Sequence, residues 1–208
     1  MLAGMTLPLL STLRCAFTQT PTPESGGRLI EIRGELWTGG AGAGQLAGNV
    51  SAVSINLLDT WVAGETVESV FGLDPGLAVF YTALFEGPSE DAPLFVKLGG
   101  YSADWLLIIR RIELFPEHRG QGLGGAVIQN LVTTYAHGGL VLLEVRPLQE
   151  FADRNAVWAA RMGYSDAESN LATATDKLVT YYTRQGFSEL HANTDGRRIL
   201  VLHSNPLP

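Results

Sequence analysis

The most constraining feature of the chain is a glycine-rich stretch at residues 114–125, which reads LFPEHRGQGLGG. An apolar run from Trp105 to Leu114 precedes it, and residues 126–135 follow with apolar side chains at helical spacing. This order predicts a strand, a glycine loop and a helix. Glycine lets a backbone approach a ligand closely, and the first N–H groups of a helix lack intrahelical partners. Because the helix dipole adds positive potential there, the stretch predicts a site for a phosphate-bearing cofactor.

Length and charge limit the classes of protein to consider. A chain of 208 residues with 46% hydrophobic content is long enough for one domain with a full core. The formal net charge of −7 argues against a nucleic-acid partner, which requires a basic surface. An acidic surface instead favours a cationic substrate such as an amine through electrostatic steering.

Cysteine, histidine and hydropathy patterns exclude several kinds of site. The single cysteine, Cys15, cannot form an internal disulfide, and we expect a buried or incidental thiol. The four histidines have no metal-ligand spacing, so we predict no metal site. No apolar stretch reaches the length of a membrane span, and the N-terminus makes a poor signal peptide. We therefore expect a cytoplasmic protein with no membrane partner.

The order of sequence patterns predicts mixed α/β structure. Residues 1–27 are interpreted as an N-terminal arm or linker, because 18–27 are rich in Thr, Pro, Ser and Gly. Residues 28–208 are predicted to form a single domain, with an inserted helical segment at about 147–170. Strands are predicted at 28–37, 50–58, 94–98, 105–114, 140–145 and 197–203. Helices are predicted at 76–85, where Asp74-Pro75 is a start signal, and at 126–136, 149–162 and 173–185.

The glycine stretch also matches the dinucleotide pattern G-x-G-x-x-G at Gly120, Gly122 and Gly125. In a Rossmann fold, Glu144 at the end of the next strand would bind the ribose hydroxyls. However, charged residues at 117–119 separate the strand from the first glycine, and the preceding segments look antiparallel. The motif also comes late in the chain. An NAD-dependent oxidoreductase is therefore the less favoured reading.

The same residues fit Arg-x-x-Gly-x-Gly at Arg119, Gly122 and Gly124, preceded by Pro116-Glu117-His118. This resembles the acetyl-CoA-binding signature of the GNAT superfamily of N-acetyltransferases. A second motif, YYTRQGF at 181–187, resembles the aromatic-Tyr-x-x-x-Gly-Phe element that ends a late helix in that family. The resemblance implies an α/β fold of the α+β type with a mixed, mostly antiparallel central sheet. Its central strands would be splayed, with flanking helices and with the pantetheine arm of the cofactor between the strands.

The resemblance also implies roles for individual residues. Glu113 is the candidate base and Tyr182 the candidate acid, with Glu144 and Tyr181 as weaker alternatives. An ordinary ion pair of Glu113 with Arg110 or Arg111 is the other reading of that carboxylate. Strand amides near Leu114 and Phe115 would polarise the thioester. The predicted cofactor-binding residues are Leu114, Phe115, Arg119, Gly120, Gln121, Gly122, Leu123, Gly124 and Gly125. Thr175 stands where the family often has an asparagine.

These residues predict an acetyl-CoA-dependent N-acetyltransferase that transfers an acetyl group directly to a primary amine in a ternary complex. The cofactor would be acetyl-CoA (coenzyme A), and the acceptor a small-molecule or peptide amine. The insertion at 147–170 is expected near the acceptor side of the site. The sequence leaves open whether the chain forms a homodimer. A non-catalytic acyl-CoA-binding or regulatory module on the same fold is the alternative function.

Overall fold

The computed structural model describes residues 13–39, 44–86, 104–136, 138–147, 156–164, 170–190 and 197–204. The strands are β1 (Leu13–Pro21), β2 (Leu29–Thr38), β3 (Gln45–Asn56), β4 (Trp105–Leu114), β5 (Leu140–Glu144), β6 (Ser188–Leu190) and β7 (Ile199–His203). The helices are α1 (Leu57–Val62), α2 (Val67–Gly72), α3 (Ala78–Phe85), α4 (Leu123–Leu131), α5 (Ala156–Arg161) and α6 (Leu171–Arg184). A π-helical turn, Val132–Ala136, continues α4.

The strands form one sheet in the order β1-β2-β3-β4-β5-β7-β6. Within the described residues β4 and β5 are the parallel neighbours, and the other neighbouring strands run antiparallel. The predicted α/β fold with a mixed, mostly antiparallel sheet is therefore confirmed. A Rossmann fold requires successive parallel strands joined by helices. Because β1 to β4 are antiparallel neighbours in chain order, that alternative is wrong.

The parallel pair separates partway along β4. Its ladder runs from Leu106 opposite Leu140 to Ile109 opposite Leu143, whereas β4 continues to Leu114. On the other side of β4, Ser51 pairs with Arg111 but Ala52 pairs with Ile109, so Arg110 is an extra residue. Such a β-bulge bends a strand and increases its twist. The bulge thus lies where β4 leaves β5.

Helices cover both faces of the central strands. Leu107, Ile109 and Leu143 pack on one face with Val127 and Leu131 of α4. Their strand neighbours Leu106, Ile108 and Leu142 pack on the opposite face with the aromatic side chains of α2 and α3. Because consecutive strand residues point to opposite faces, burial of both faces explains the uninterrupted apolar runs of β4 and β5. We call the first face the α4 face and the second the outer face.

The prediction of an arm or linker is wrong for residues 13–21. These residues form β1, which pairs with β2 from Leu13 opposite Thr38 to Pro21 opposite Ile30. Leu13, Cys15 and Phe17 alternate with exposed residues and pack against the core on the α4 face. The alternation is short, and the Thr and Pro residues after Phe17 resemble a linker in sequence. Residues 1–12 lie outside the described part of the chain, and the single domain predicted for 28–208 stays a prediction.

Most other elements lie where the sequence predicts them. Asp74 accepts a hydrogen bond from the Gly76 amide, and α3 follows one turn later. The predicted strand at 94–98 lies outside the described residues. Of the predicted insertion, the structure describes residues 156–164, which contain α5 and a turn that ends at Tyr164. None of the helices in the described segments combines the length and apolarity that crossing a membrane requires.

Candidate functional site

The glycine loop connects the end of β4 to α4. A short 3-10 turn, Pro116–His118, follows the strand, and Gly122 is the N-cap of α4. Gly120 and Gly122 have φ values of +71° and +77°. A Cβ atom added at either residue would meet no other atom within 4 Å. Glycine is therefore required at these positions by the left-handed backbone rather than by crowding within the protein.

The first turn of α4 presents unpaired backbone donors. The first helical bond runs from the Ala126 amide to the Gly122 carbonyl, at 3.3 Å. The N–H groups of Leu123, Gly124 and Gly125 precede that bond, so they have no acceptor within the helix. The N-cap, Gly122, provides no side-chain oxygen for them. This helix start has the donors and the positive dipole end that bind an anion.

Gly124 and Gly125 have a second role that the sequence did not indicate. A Cβ atom at Gly124 would lie 2.6 Å from the Tyr181 hydroxyl oxygen. A Cβ atom at Gly125 would lie 2.7 Å from the Gln185 side-chain oxygen. Both contacts belong to α6 and its C-terminal cap. Glycine is therefore required at these two positions by packing against α6 and its cap, which already occupy the space where a Cβ would lie.

The side chain of Arg119 makes hydrogen bonds within the protein, and its predicted role as a phosphate partner stays a prediction. Its Nε atom donates to the Leu114 carbonyl at 2.9 Å, and its Nη2 atom donates to the Met162 carbonyl at 2.7 Å. Its amide donates to the Pro116 carbonyl within the turn. Arg119 thus connects the end of β4 to the segment after α5.

The amide of Phe115 is also engaged within the protein, which disfavours its predicted role at the thioester. It donates to the Ala47 carbonyl at 2.9 Å, and the Phe115 ring is buried against Met162 and Tyr164. Because N–H groups alternate along a strand, those of Ile112 and Leu114 point away from β3. They face the side where the ladder with β5 has ended. Ile112 is a site residue that sequence reasoning missed, because the bulge that sets this alternation has no sequence signature.

A cleft of about 490 Å³ opens where β4 leaves β5. We call it the central cleft. Its lining includes Ile112, Leu143 and Tyr182 from the α4 face. Arg111 and Glu144 line it from the outer face. The separation of the two strands therefore creates a cavity that residues of both faces share.

Tyr182 lies in the wall of the central cleft. Burial, with a smaller effect from the neighbouring Tyr181, raises the pKa of Tyr182 to about 12, so its hydroxyl is protonated at neutral pH. Tyr181 is directed to the start of α4, where its hydroxyl lies over Gly124. The two competing tyrosines therefore occupy different places. Thr175 donates its hydroxyl hydrogen to the Leu171 carbonyl within α6, at 2.8 Å.

Glu113 is buried, with 5% of its surface exposed, and three groups contact its Oε1 atom. Trp158 donates from Nε1 at 3.2 Å, Tyr164 donates from its hydroxyl at 3.4 Å, and Arg111 Nη1 lies 3.5 Å away. Burial and the nearby Glu113 carboxylate raise the pKa of Tyr164. Of the predicted ion-pair partners, Arg111 is the one in contact, whereas Arg110 pairs with Asp74.

Glu113 and Tyr182 line different cavities. Glu113 lies at a second cavity of about 470 Å³, which we call the lateral cavity. The described lining of the lateral cavity comes from β1 to β4, and it shares Arg33, Ser51 and Arg111 with the central cleft. Glu144, the weaker candidate base, lies in the central cleft within 3.9 Å of Arg146 and 3.7 Å of Arg197.

No protein-family model matches the chain, and no curated protein sequence matches it significantly. A search of solved structures finds a polyamine N-acetyltransferase from Drosophila melanogaster, an enzyme that catalyses the formation of N-acetylagmatine. The match is 15% identical in sequence and has a TM-score of 0.37. It covers 86% of this chain and 76% of that one. Function has to follow from the side chains of this protein.

Proposed function

We propose that this chain is an acetyl-CoA-dependent N-acetyltransferase of the GNAT type that acts by direct transfer to a primary amine in a ternary complex. The observation that carries the proposal is the separation of β4 from β5 at the bulged Arg110. The glycine loop lies at the end of the separated strand, and Tyr182 lies in the cleft that the separation creates. A cytoplasmic location stays a prediction.

The residues around the loop fit coenzyme A. The amides of Leu123, Gly124 and Gly125, which have no acceptor within the helix, suit its pyrophosphate, since several N–H donors and a helix dipole converge there. The amides of Ile112 and Leu114 suit the pantetheine arm, because an unpaired strand edge accepts an extended ligand. When bound, the cofactor supplies an acetyl group activated as a thioester. Arg119 would hold the loop in place rather than bind phosphate, given its two carbonyl contacts.

Three functions fall to this chain in the transfer. The edge amides of β4 stabilise the negative charge that develops on the acyl oxygen. Glu113 accepts the amine proton through Oε2, because the polar contacts that the described residues make with it fall on Oε1. Transfer would form a bond between the amine nitrogen and the acyl carbon and would break the carbon–sulfur bond. Tyr182 then donates its hydroxyl proton to the departing thiolate.

The arrangement of Cys15 disfavours a covalent acyl-enzyme. Cys15 lies on β1 and packs against the core on the α4 face. Burial raises the pKa of its thiol, which lowers the thiolate fraction that a nucleophile needs. Direct transfer is therefore the mechanism that the side chains support.

Steady-state kinetics of Glu113→Gln and Tyr182→Phe test the proposal. Each substitution should lower kcat/KM for acetyl transfer by roughly 100-fold or more, the usual contribution of a proton-transfer group, with little change in acetyl-CoA affinity. Glu86→Gln, an exposed carboxylate at the end of α3, is the control and should retain activity. If acetyl-CoA binds but neither substitution matters, the chain is a non-catalytic acyl-CoA-binding module. Stabilisation by NAD in preference to acetyl-CoA would exclude both functions.

A further inference from the structure

The polar side chains of the lateral cavity form two ordered rows across β1 to β4. The sheet register sets Thr18 opposite Arg33, Arg33 opposite Ser51, and Ser51 opposite Arg111. Two residues away on each strand, it sets Ala16 opposite Glu35, Glu35 opposite Asn49, and Asn49 opposite Glu113. We call these the cationic row and the acidic row. All eight residues line the lateral cavity.

Both rows lie on the outer face. The residues between them on β1, β2 and β3 are Phe17, Gly34 and Val50, which point to the α4 face. Since side chains alternate along strands, the rows project from the opposite side of the sheet. Two residues of strand separate the rows, which amounts to roughly 7 Å.

The charges of the two rows balance each other. The cationic row carries guanidinium groups at Arg33 and Arg111, and the acidic row carries carboxylates at Glu35 and Glu113. Arg111 Nη1 lies 3.5 Å from Glu113 Oε1, which links the rows on β4. The described lining of the adjoining central cleft adds more arginine than carboxylate: Arg33, Arg110, Arg111 and Arg146 against Glu31 and Glu144. The site is therefore not acidic, although the whole chain has a net charge of −7.

We propose that the lateral cavity is the acceptor pocket and that its acceptor is an amine which carries its own carboxylate. The ammonium group lies over the acidic row beside Glu113, and the carboxylate lies over the cationic row. This inference rests on the proposed acetyltransferase function and names its substrate class. A polyamine fits poorly, because its second ammonium group would meet a guanidinium rather than a carboxylate. The acidic net charge had favoured a purely cationic substrate, and the local rows favour a zwitterion instead.

The test compares acceptors that differ only in the carboxylate. The pairs are 4-aminobutyrate with propylamine, L-lysine with cadaverine, and L-phenylalanine with phenethylamine. In the pair that the enzyme acetylates most efficiently, kcat/KM for the amino acid should exceed that of the plain amine by about ten-fold or more. This is the effect expected for a charge-assisted contact. Several pairs are needed because the row spacing does not fix the length of the acceptor.

Variants assign the preference to the cationic row. Arg33→Gln and Arg111→Gln should reduce the ratio of the two kcat/KM values towards one, mainly by raising KM for the amino acid. Of the two substitutions, Arg33→Gln should perturb the fold less. The Arg33 side chain is 78% exposed, and its ion pair within the described residues is with Glu31 at 3.0 Å. Arg184→Gln is the matched control, because this arginine is exposed on α6 and lines neither cavity. It should leave the ratio unchanged.

The outcomes separate this inference from the proposed function. If plain amines or polyamines are acetylated as well as the amino acids, the acceptor assignment is overturned while acetyl transfer stands. If no amine is acetylated, the acetyltransferase proposal fails. Calorimetric titration of the three amino acids then tests separately whether the lateral cavity binds them. Binding that Arg33→Gln weakens supports the pocket, and absence of binding to the wild-type protein overturns it.

Discussion

Glycine is needed in the loop for two different physical reasons, and the sequence pattern does not distinguish between them. Gly122 is needed for its left-handed backbone, with φ +77° and open space where a Cβ would lie. Gly124 is needed because the Tyr181 hydroxyl would lie 2.6 Å from a Cβ atom. A substitution at Gly122 therefore changes the path of the loop, whereas one at Gly124 pushes α4 away from α6.

This difference predicts a specific rescue. Gly124→Ala should lower the free energy of unfolding by about 1–3 kcal/mol, the usual cost of overpacking. Tyr181→Phe removes the hydroxyl and leaves the ring carbon at 3.6 Å, an ordinary contact, so the double variant should recover most of the loss. Gly122→Ala should lose about 1–2 kcal/mol from its backbone and gain nothing from Tyr181→Phe. Urea denaturation of the wild type, the three single variants and the two double variants measures both effects, and equal rescue at Gly122 and Gly124 would refute the distinction.

Tyrosine ionisation gives a second prediction at the same scale. Because burial raises the pKa of Tyr182 to about 12, the folded protein keeps this proton while the unfolded chain loses it near pH 10. The stabilisation is complete below pH 10 and is lost as the pH rises towards 12. The free energy of unfolding should thus fall less steeply over this window in Tyr182→Phe than in the wild type. Identical slopes between pH 10 and 12 would contradict the burial of the phenol.

At the scale of elements, α5 and the turn that follows it contact both the end of β4 and the glycine loop. Trp158 and Tyr164 contact Glu113 near the end of β4, and Arg119 joins the Leu114 carbonyl to that of Met162. The Phe115 ring packs in the same place, and the Arg161 guanidinium lies 4.1 Å from its centroid. The described part of the predicted insertion is therefore a clamp on the end of β4.

The clamp predicts how loss of Arg119 will appear. Arg119→Ala leaves the carbonyls of Leu114 and Met162 without this donor, so the free energy of unfolding should fall by about 1–3 kcal/mol. If Arg119 bound the phosphate groups of coenzyme A, its removal would instead make the affinity for coenzyme A less dependent on salt. We expect the salt dependence of the dissociation constant to match that of the wild type. A flatter salt dependence at unchanged stability would support the predicted phosphate role instead.

The elements also indicate what a sequence can predict. The strand Trp105–Leu114 was predicted with both ends correct, because its apolar run is continuous and Pro116 follows closely. β1 was missed because its alternation at Leu13, Cys15 and Phe17 is short, and the Thr and Pro residues that follow resemble a linker. The register across β1 to β4 could not be predicted at all. Since each residue's partner depends on turn geometry and on the bulge at Arg110, the two charged rows exist only in the folded sheet.

For the whole molecule, the central sheet divides the proposed chemistry between its two faces. The loop, α4 and Tyr182 belong to the α4 face, and Glu113 with the charged rows belongs to the outer face. The faces meet where β4 leaves β5, at the central cleft. Two ligands could thus reach one point from opposite sides, which is the geometry that direct transfer requires.

This division predicts two separate footprints in hydrogen exchange. Coenzyme A alone should slow exchange at the amides of Ile112, Leu114 and Leu123 to Gly125, because those donors gain partners. The Phe115 amide should not change, since it already donates to Ala47 at 2.9 Å. An amino-acid acceptor alone should leave the loop amides unaffected, because the lateral cavity lies on the other face. Protection of Phe115 but not Ile112 by coenzyme A would mean that the cofactor does not lie along the separated edge of β4.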